Sequence, residues 1–173
     1  AHLYNEALQK ATSISVARQQ QIKPFDEKVN RSLFQVGMPN ARLKVELKET
    51  DLQLFGKDAI EFLFDANKSN KFEPIKKVAS GGELSRLMLC IKSLVAERID
   101  LPTMIFDEID SGISGEAAKQ VGSIMKGLAT SRQIICITHQ PQIAGKADAH
   151  FFVYKAMKGE AIQTNIKLLT QEE

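Results

Sequence analysis

Apolar residues in the first 36 positions are sparse and helix-spaced. Leu8, Ala11 and Ile14, then Val29, Leu33 and Val36, stand in a glycine-free background rich in Gln, Lys and Glu. Pro24 interrupts, so the pattern predicts two helical segments meeting near Lys23-Pro24, or one kinked helix. So thin a stripe suits a long helix leaving a globular body, such as the end of a coiled coil, although it is too short to establish a heptad repeat. Gly37-Met38-Pro39-Asn40 then breaks the pattern. Beyond it Leu43, Val45 and Leu47 alternate with Lys44, Glu46 and Lys48, the period of a half-buried strand. Residues 60–65 read as a second strand, with 52–58 as the link between the two and 67–74 as a polar loop.

The strongest helical pattern covers 82–100. It places Leu84, Leu87, Met88, Ile91, Leu94 and Val95 on one face and Ser85, Arg86, Lys92 and Arg98 largely off it. Two short apolar runs, 103–106 and 133–138, read as buried parallel strands. Between them 114–128 reads as an amphipathic helix through Ala118, Val121, Met125 and Leu128, with Ser114 in the capping position. A short helix is expected over 141–145, and 149–154 and 161–168 flank Lys158-Gly159 as a β-hairpin. Strand, helix and strand in succession make the central layer α/β with a parallel sheet. The expected division is a helical coiled-coil end over 1–38 and a lobe over 39–173.

Composition narrows the picture only a little. A chain of 173 residues, 43% hydrophobic, can bury one core, and a net charge of +2 gives no general case for nucleic-acid binding. The lysines at 44, 48, 68, 71, 76 and 77 read better as a solvated surface than as a DNA track. Cys90 and Cys136 sit in apolar runs and read as buried reduced thiols, which fits a cytoplasmic setting. No signal-peptide pattern and no run long enough to span a bilayer is present, so no membrane role is expected. The chain opens on Ala1 in a helical pattern, which suggests a piece of a longer protein.

Four short motifs carry candidate chemistry. Ser80-Gly81-Gly82-Glu83 opens the strongest helix, and a Ser followed three residues later by a Glu is a capping box; two glycines there could also bring backbone N–H groups to a phosphate. Asp107-Glu108 follows an apolar strand, the Walker B pattern of P-loop nucleotidases. There the first acid serves Mg²⁺ and the second orients or deprotonates the attacking water. Asp110-Ser111-Gly112 is either a turn with an N-cap or a loop that contacts a neighbouring subunit's nucleotide. His139 closes the next strand, on the sheet edge where ligands of parallel sheets bind, and could hydrogen-bond a γ-phosphate.

In this order and at these spacings the set resembles the C-terminal half of an ABC-type ATPase head. "KVASGGELSRLMLCIKSL", "TMIFDEIDSGISGEAA" and "ITHQPQIA" resemble the RecN family of bacterial DNA-repair proteins, relatives of the SMC proteins. The resemblance implies an α/β fold, the C-terminal lobe of a P-loop head with flanking helices and a C-terminal hairpin, reached through a coiled coil. It implies that Ser80, Gly81, Gly82 and Glu83 form the signature motif, acting in trans on the nucleotide of an opposing head. It also implies that Asp107 serves Mg²⁺ directly or through water, that Glu108 and His139 are catalytic, and that Asp110, Ser111 and Gly112 form the D-loop. The implied cofactors are ATP and Mg²⁺. The implied partners are the head half bearing Walker A, a second head joined in an ATP-dependent dimer, and DNA, in a cytoplasmic, nucleoid-associated setting. The sequence holds no G-x-x-x-x-G-K-[ST] and no identifiable Q-loop, so this chain alone is expected to be inactive. A head lobe of another SMC-type chromosome protein and a non-catalytic dimerisation module stay open as alternatives.

Overall fold

The structure is a computed structural model and describes residues 2–78, 80–96, 98, 101–159 and 161–170. Its first element, α1 (His2–Gln35), is one helix that runs through Pro24. Most of it is exposed, but Val29, Leu33 and the following Val36 are fully buried in the core of the lobe. Polar ties fix the helix along the hairpin β1 (Arg42–Gln53) and β2 (Gly56–Asp65). Ser15 Oγ and Arg18 Nη1 donate to Asp58 at 2.6 and 2.9 Å, and Arg18 Nη2 donates to Phe55 O. Nearer the core, Asn30 Oδ1 accepts from Leu43 N while its Nδ2 donates to Leu43 O, and the Asp26 carboxylate accepts from Val45 N.

The link expected over 52–58 is shorter than the sequence suggested. β1 and β2 pair antiparallel from Arg42↔Asp65 out to Gln53↔Gly56, with a register shift between Glu49 and Gln53, so only Leu54 and Phe55 turn the chain. Gly56, at φ +110°, supplies the backbone that this turn requires. The polar loop after β2 is also more ordered than expected. Asp65 is buried and gathers the N–H groups of Asn67, Ser69 and Asn70, together with the Ser69 hydroxyl. The loop ends in a two-residue strand β3 (Glu73–Pro74) on β2 and one turn of helix, α2 (Ile75–Val78).

Helix α3 (Gly81–Val95) is shorter than the expected 82–100, and residues 97, 99 and 100 lie outside the described set. Its buried face is Gly82, Arg86, Leu87, Leu89 and Cys90, whereas Leu84 is exposed. The apolar stripe put Arg86 outside and Leu84 inside; the guanidinium is buried because it has carbonyl partners there. Strand β4 (Thr103–Phe106), helix α4 (Gly115–Leu128) and strand β5 (Gln133–Cys136) form the parallel unit, in register from Thr103↔Gln133 to Phe106↔Cys136. Ser114 has the extended backbone of an N-cap but makes no side-chain cap bond. The two strands are buried on one face only: Met104 and Phe106 enter the core, while Ile105, Ile135 and Ile137 are 62%, 43% and 59% exposed. A short helix α5 (Pro141–Ala144) follows, and then the hairpin β6 (Phe151–Lys158) and β7 (Ala161–Leu168), whose apolar side chains are exposed on both faces.

Candidate functional site

Because β4 and β5 are parallel and in register, their C-terminal ends coincide. Asp107-Glu108 and Thr138-His139 therefore leave the sheet side by side, joined by Ile137 N donating to Phe106 O at 2.9 Å. The N-terminus of α3 returns to the same edge, where the SGGE capping box is complete. Ser80 Oγ accepts from Glu83 N at 3.4 Å and Glu83 Oε2 accepts from Ser80 N at 3.1 Å. Leu84 N reaches Ser80 O, while the Gly81 and Gly82 amides stand first in the helix, where no intrahelical carbonyl can serve them.

The glycines have a second role that the sequence did not reveal. A Cβ on Gly81 would lie 2.3 Å from Glu108 Oε2, and one on Gly82 would lie 2.7 Å from Ser111 Cβ and 3.2 Å from Glu108 O. Their missing side chains let the start of α3 press against segment 107–111 of the same chain. Two residues of α3 secure that approach. Ser85 Oγ donates to Asp107 O at 2.8 Å, and Arg86 Nη1 donates to Ile109 O at 3.4 Å and to Ser111 O. Arg86 is 5% exposed, and its Nε is buried without a partner among the described residues.

Segment 107–111 is a tight turn. Asp107 Oδ1 accepts from Glu108 N at 2.9 Å, and Glu108 O accepts from Ser111 N at 3.1 Å. Glu108 has φ +56°, a left-handed conformation that costs a non-glycine residue about 1–2 kcal/mol. This backbone turns the Glu108 carboxylate onto Gly81. Asp107 and Glu108 are both exposed.

Asp110 differs from its neighbours. Its side chain is 4% exposed, and Oδ2 accepts from Thr138 Oγ1 at 2.5 Å and from His139 N at 2.8 Å, with His139 Nδ1 3.1 Å away. Burial pushes its pKa up, but the hydrogen bonds from Thr138 and His139 N outweigh this, and the net shift is downward. The carboxylate is thus engaged within its own chain, while Ser111 and Gly112 beside it are both exposed, with Gly112 at φ +71°. Gln140 completes the link between the two loops, its N accepted by Thr138 Oγ1 and its Nε2 donating to Ile113 O. The His139 ring is 76% exposed. Sequence reasoning gave no role to Ser85, Arg86, Thr138 or Gln140. Arg86 stands four residues from each of Gly82 and Cys90, both buried, and so shares their helix face.

No group of three or more His, Cys, Asp or Glu side chains among the described residues could hold a metal by itself. No described helix is long and apolar enough to cross a membrane.

Comparison with solved structures defines the class. The SMC head domain with coiled coil and joint from Pyrococcus yayanosii superposes with a TM-score of 0.61 at 19% identity, covering 89% of this chain and 28% of that one. The SMC head from Pyrococcus furiosus bound to the C-terminal domain of ScpA gives 0.58 at 17%, over 89% and 36%. A structure solved in work on ATP-driven dimerization and DNA-stimulated activation of SMC ATPases gives 0.52 at 14%, over 90% and 89%. The fold is that of an SMC head, an ABC-type ATPase architecture. Within that class the sequence is RecN-like along nearly all of its length. It is 37% identical over 173 residues to the DNA repair protein RecN of Vibrio cholerae and 42% identical over 164 residues to that of Rickettsia typhi, covering 99% and 94% of this chain. The chain spans about a third of the length of these relatives, 31% and 30%. No protein-family model matches it.

Proposed function

We propose that residues 39–173 form the C-terminal lobe of a RecN-like ATPase head acting in recombinational repair of DNA double-strand breaks, and that residues 1–38 are the end of its coiled coil. The observation that carries this reading is the convergence, in a RecN-like sequence, of Asp107-Glu108, Thr138-His139 and the capped start of α3 on one sheet edge. The exposed Ile105, Ile135 and Ile137 face suits a sheet covered by a further lobe, the one that would bring the Walker A loop.

In this reading Ser80 and the Gly81 and Gly82 amides, at the positive end of α3, receive the γ-phosphate of a nucleotide held by an opposing head. Asp107, a single exposed carboxylate with one oxygen taken by Glu108 N, suits Mg²⁺, which takes one or two carboxylates together with substrate phosphates. That ion would neutralise charge on the β- and γ-phosphate oxygens. Glu108 holds or deprotonates the attacking water, for which its carboxylate must first leave Gly81. His139 addresses the same water or the γ-phosphate. Loss of the phosphate between the heads would let them part, coupling turnover to engagement on DNA.

The test pairs this chain with a polypeptide supplying the Walker A loop and measures steady-state ATP turnover. Glu108→Gln is expected to reduce turnover at least about 100-fold. Wild-type turnover in that variant, or appreciable turnover by this chain alone, would refute the assignment.

A further inference from the structure

Asp110 lies beside the two acids of the proposed site, yet its geometry ties it to His139. The carboxylate is almost wholly buried and its Oδ2 accepts from the His139 backbone N–H at 2.8 Å and from the hydroxyl of the preceding Thr138 at 2.5 Å. The same oxygen stands 3.1 Å from His139 Nδ1, while the ring is 76% exposed. Gln140 pins the other side of the loop to Thr138 Oγ1 and Ile113 O. A buried anion against one ring nitrogen favours a proton on that nitrogen, and so determines what the other nitrogen can offer.

We propose that Asp110 is the positioning residue of His139: it fixes the histidine backbone and selects the tautomer protonated on Nδ1, so that the neutral ring presents Nε2 outward as a hydrogen-bond acceptor. This rests on the reading of His139 as a residue of the ATPase site and deepens it. With Nε2 as acceptor, the neutral ring takes a hydrogen bond from the attacking water and helps orient it. Asp110 thereby joins the turn after the acids to the strand end bearing the histidine.

Two readouts test the proposal. Long-range ¹H–¹⁵N spectra of this chain, with the His139 signals assigned by their loss in His139→Gln, report the tautomer of the neutral ring. The Nδ1-protonated form is expected in the wild type and in Thr138→Val, which keeps the carboxylate, and a shift toward the Nε2-protonated form is expected in Asp110→Asn. In the Walker A-complemented ATPase, Asp110→Asn should lower kcat at least about tenfold while KM for ATP changes less than about twofold, the signature of a group acting after binding. An Nε2-protonated ring in the wild type overturns the proposal without recourse to any variant. So does an Asp110→Asn protein with the wild-type tautomer or wild-type kcat. Full turnover in His139→Gln would instead sink the underlying reading of His139, while the spectra would still decide whether Asp110 sets the ring.

Discussion

Gly82 and Gly127 offer a matched pair of perturbations with different expected outcomes. Both lie in helices, at the start of α3 and near the end of α4, and neither has a positive φ. Replacing a helical glycine by alanine gains about 0.8–1 kcal/mol in an interior position. At Gly127 the new methyl would meet nothing within 4 Å, so Gly127→Ala keeps most of that gain. At Gly82 it would stand 2.7 Å from Ser111 Cβ and 3.2 Å from two backbone oxygens, those of Glu108 and Ser111. Carbon–carbon contacts settle at about 3.5–4.0 Å, so α3 and the 108–111 turn must part by about 1 Å. Overpacking of this kind costs about 1–3 kcal/mol, which cancels or exceeds the helical gain. The two variants should therefore differ in unfolding free energy by about 1–3 kcal/mol. With a urea m-value of about 2 kcal/mol/M, the midpoints would be separated by about 0.5–1.5 M. Urea titration of both variants, followed by far-ultraviolet circular dichroism, gives the comparison directly. Coincident midpoints, or a Gly82→Ala protein as stable as Gly127→Ala, would refute the claim that the bare backbone at Gly82 seats α3 on its own chain.

Two further outcomes follow from the buried polar groups. Arg86→Met should destabilise the chain by about 2–4 kcal/mol in the same titration, because it strips the donor from two carbonyls, Ile109 O and Ser111 O, with Arg86→Lys recovering only part of the loss. Asp65 and Asp26 should respond to pH with opposite signs. Burial raises the Asp65 pKa, but its bonds from Ser69, Asn67 and Asn70 win and hold it below 3.8, so its contribution is present at neutral pH and is lost as pH falls below that value. Burial raises Asp26 above 3.8 despite its bond from Val45 and the nearby Lys44, so its contribution is present in acid and is lost as pH rises through the folded value. Asp65→Asn should thus destabilise at pH 7 and matter little near pH 2, whereas Asp26→Asn should stabilise at pH 7 and be neutral near pH 2.

The features legible in the sequence were those written in short spacings. The Ser80–Glu83 capping box, the two apolar strands and the polar residues at their ends depend on neighbours within a few positions; the box and β4 lie where their patterns placed them, and β5 ends two residues short of the expected 133–138. Arg86 was misplaced because helical periodicity weighs side chains by polarity, whereas its burial depends on carbonyls 23 and 25 residues away. The partners of Asp110 were equally beyond local spacing, because they come from the next strand. The apolar runs of β4 and β5 predicted burial on both faces; among the described residues only one face is covered.

The ties between α1 and the β1–β2 hairpin have a mechanical consequence. A helix of 34 residues is about 51 Å long, and its C-terminal end is rooted in the core through Val29 and Leu33. Asp58, gripped by Ser15 and Arg18, braces the shaft well above that root, so the helix and hairpin act as a lever with a strut. Beyond Val29 the arm is about 40 Å long, so a rotation of the lobe by about 10° would sweep its far end through about 7 Å. Cutting the strut with Asp58→Ala would leave the root in place while softening the arm, so angular motion at the lobe would reach the tip attenuated.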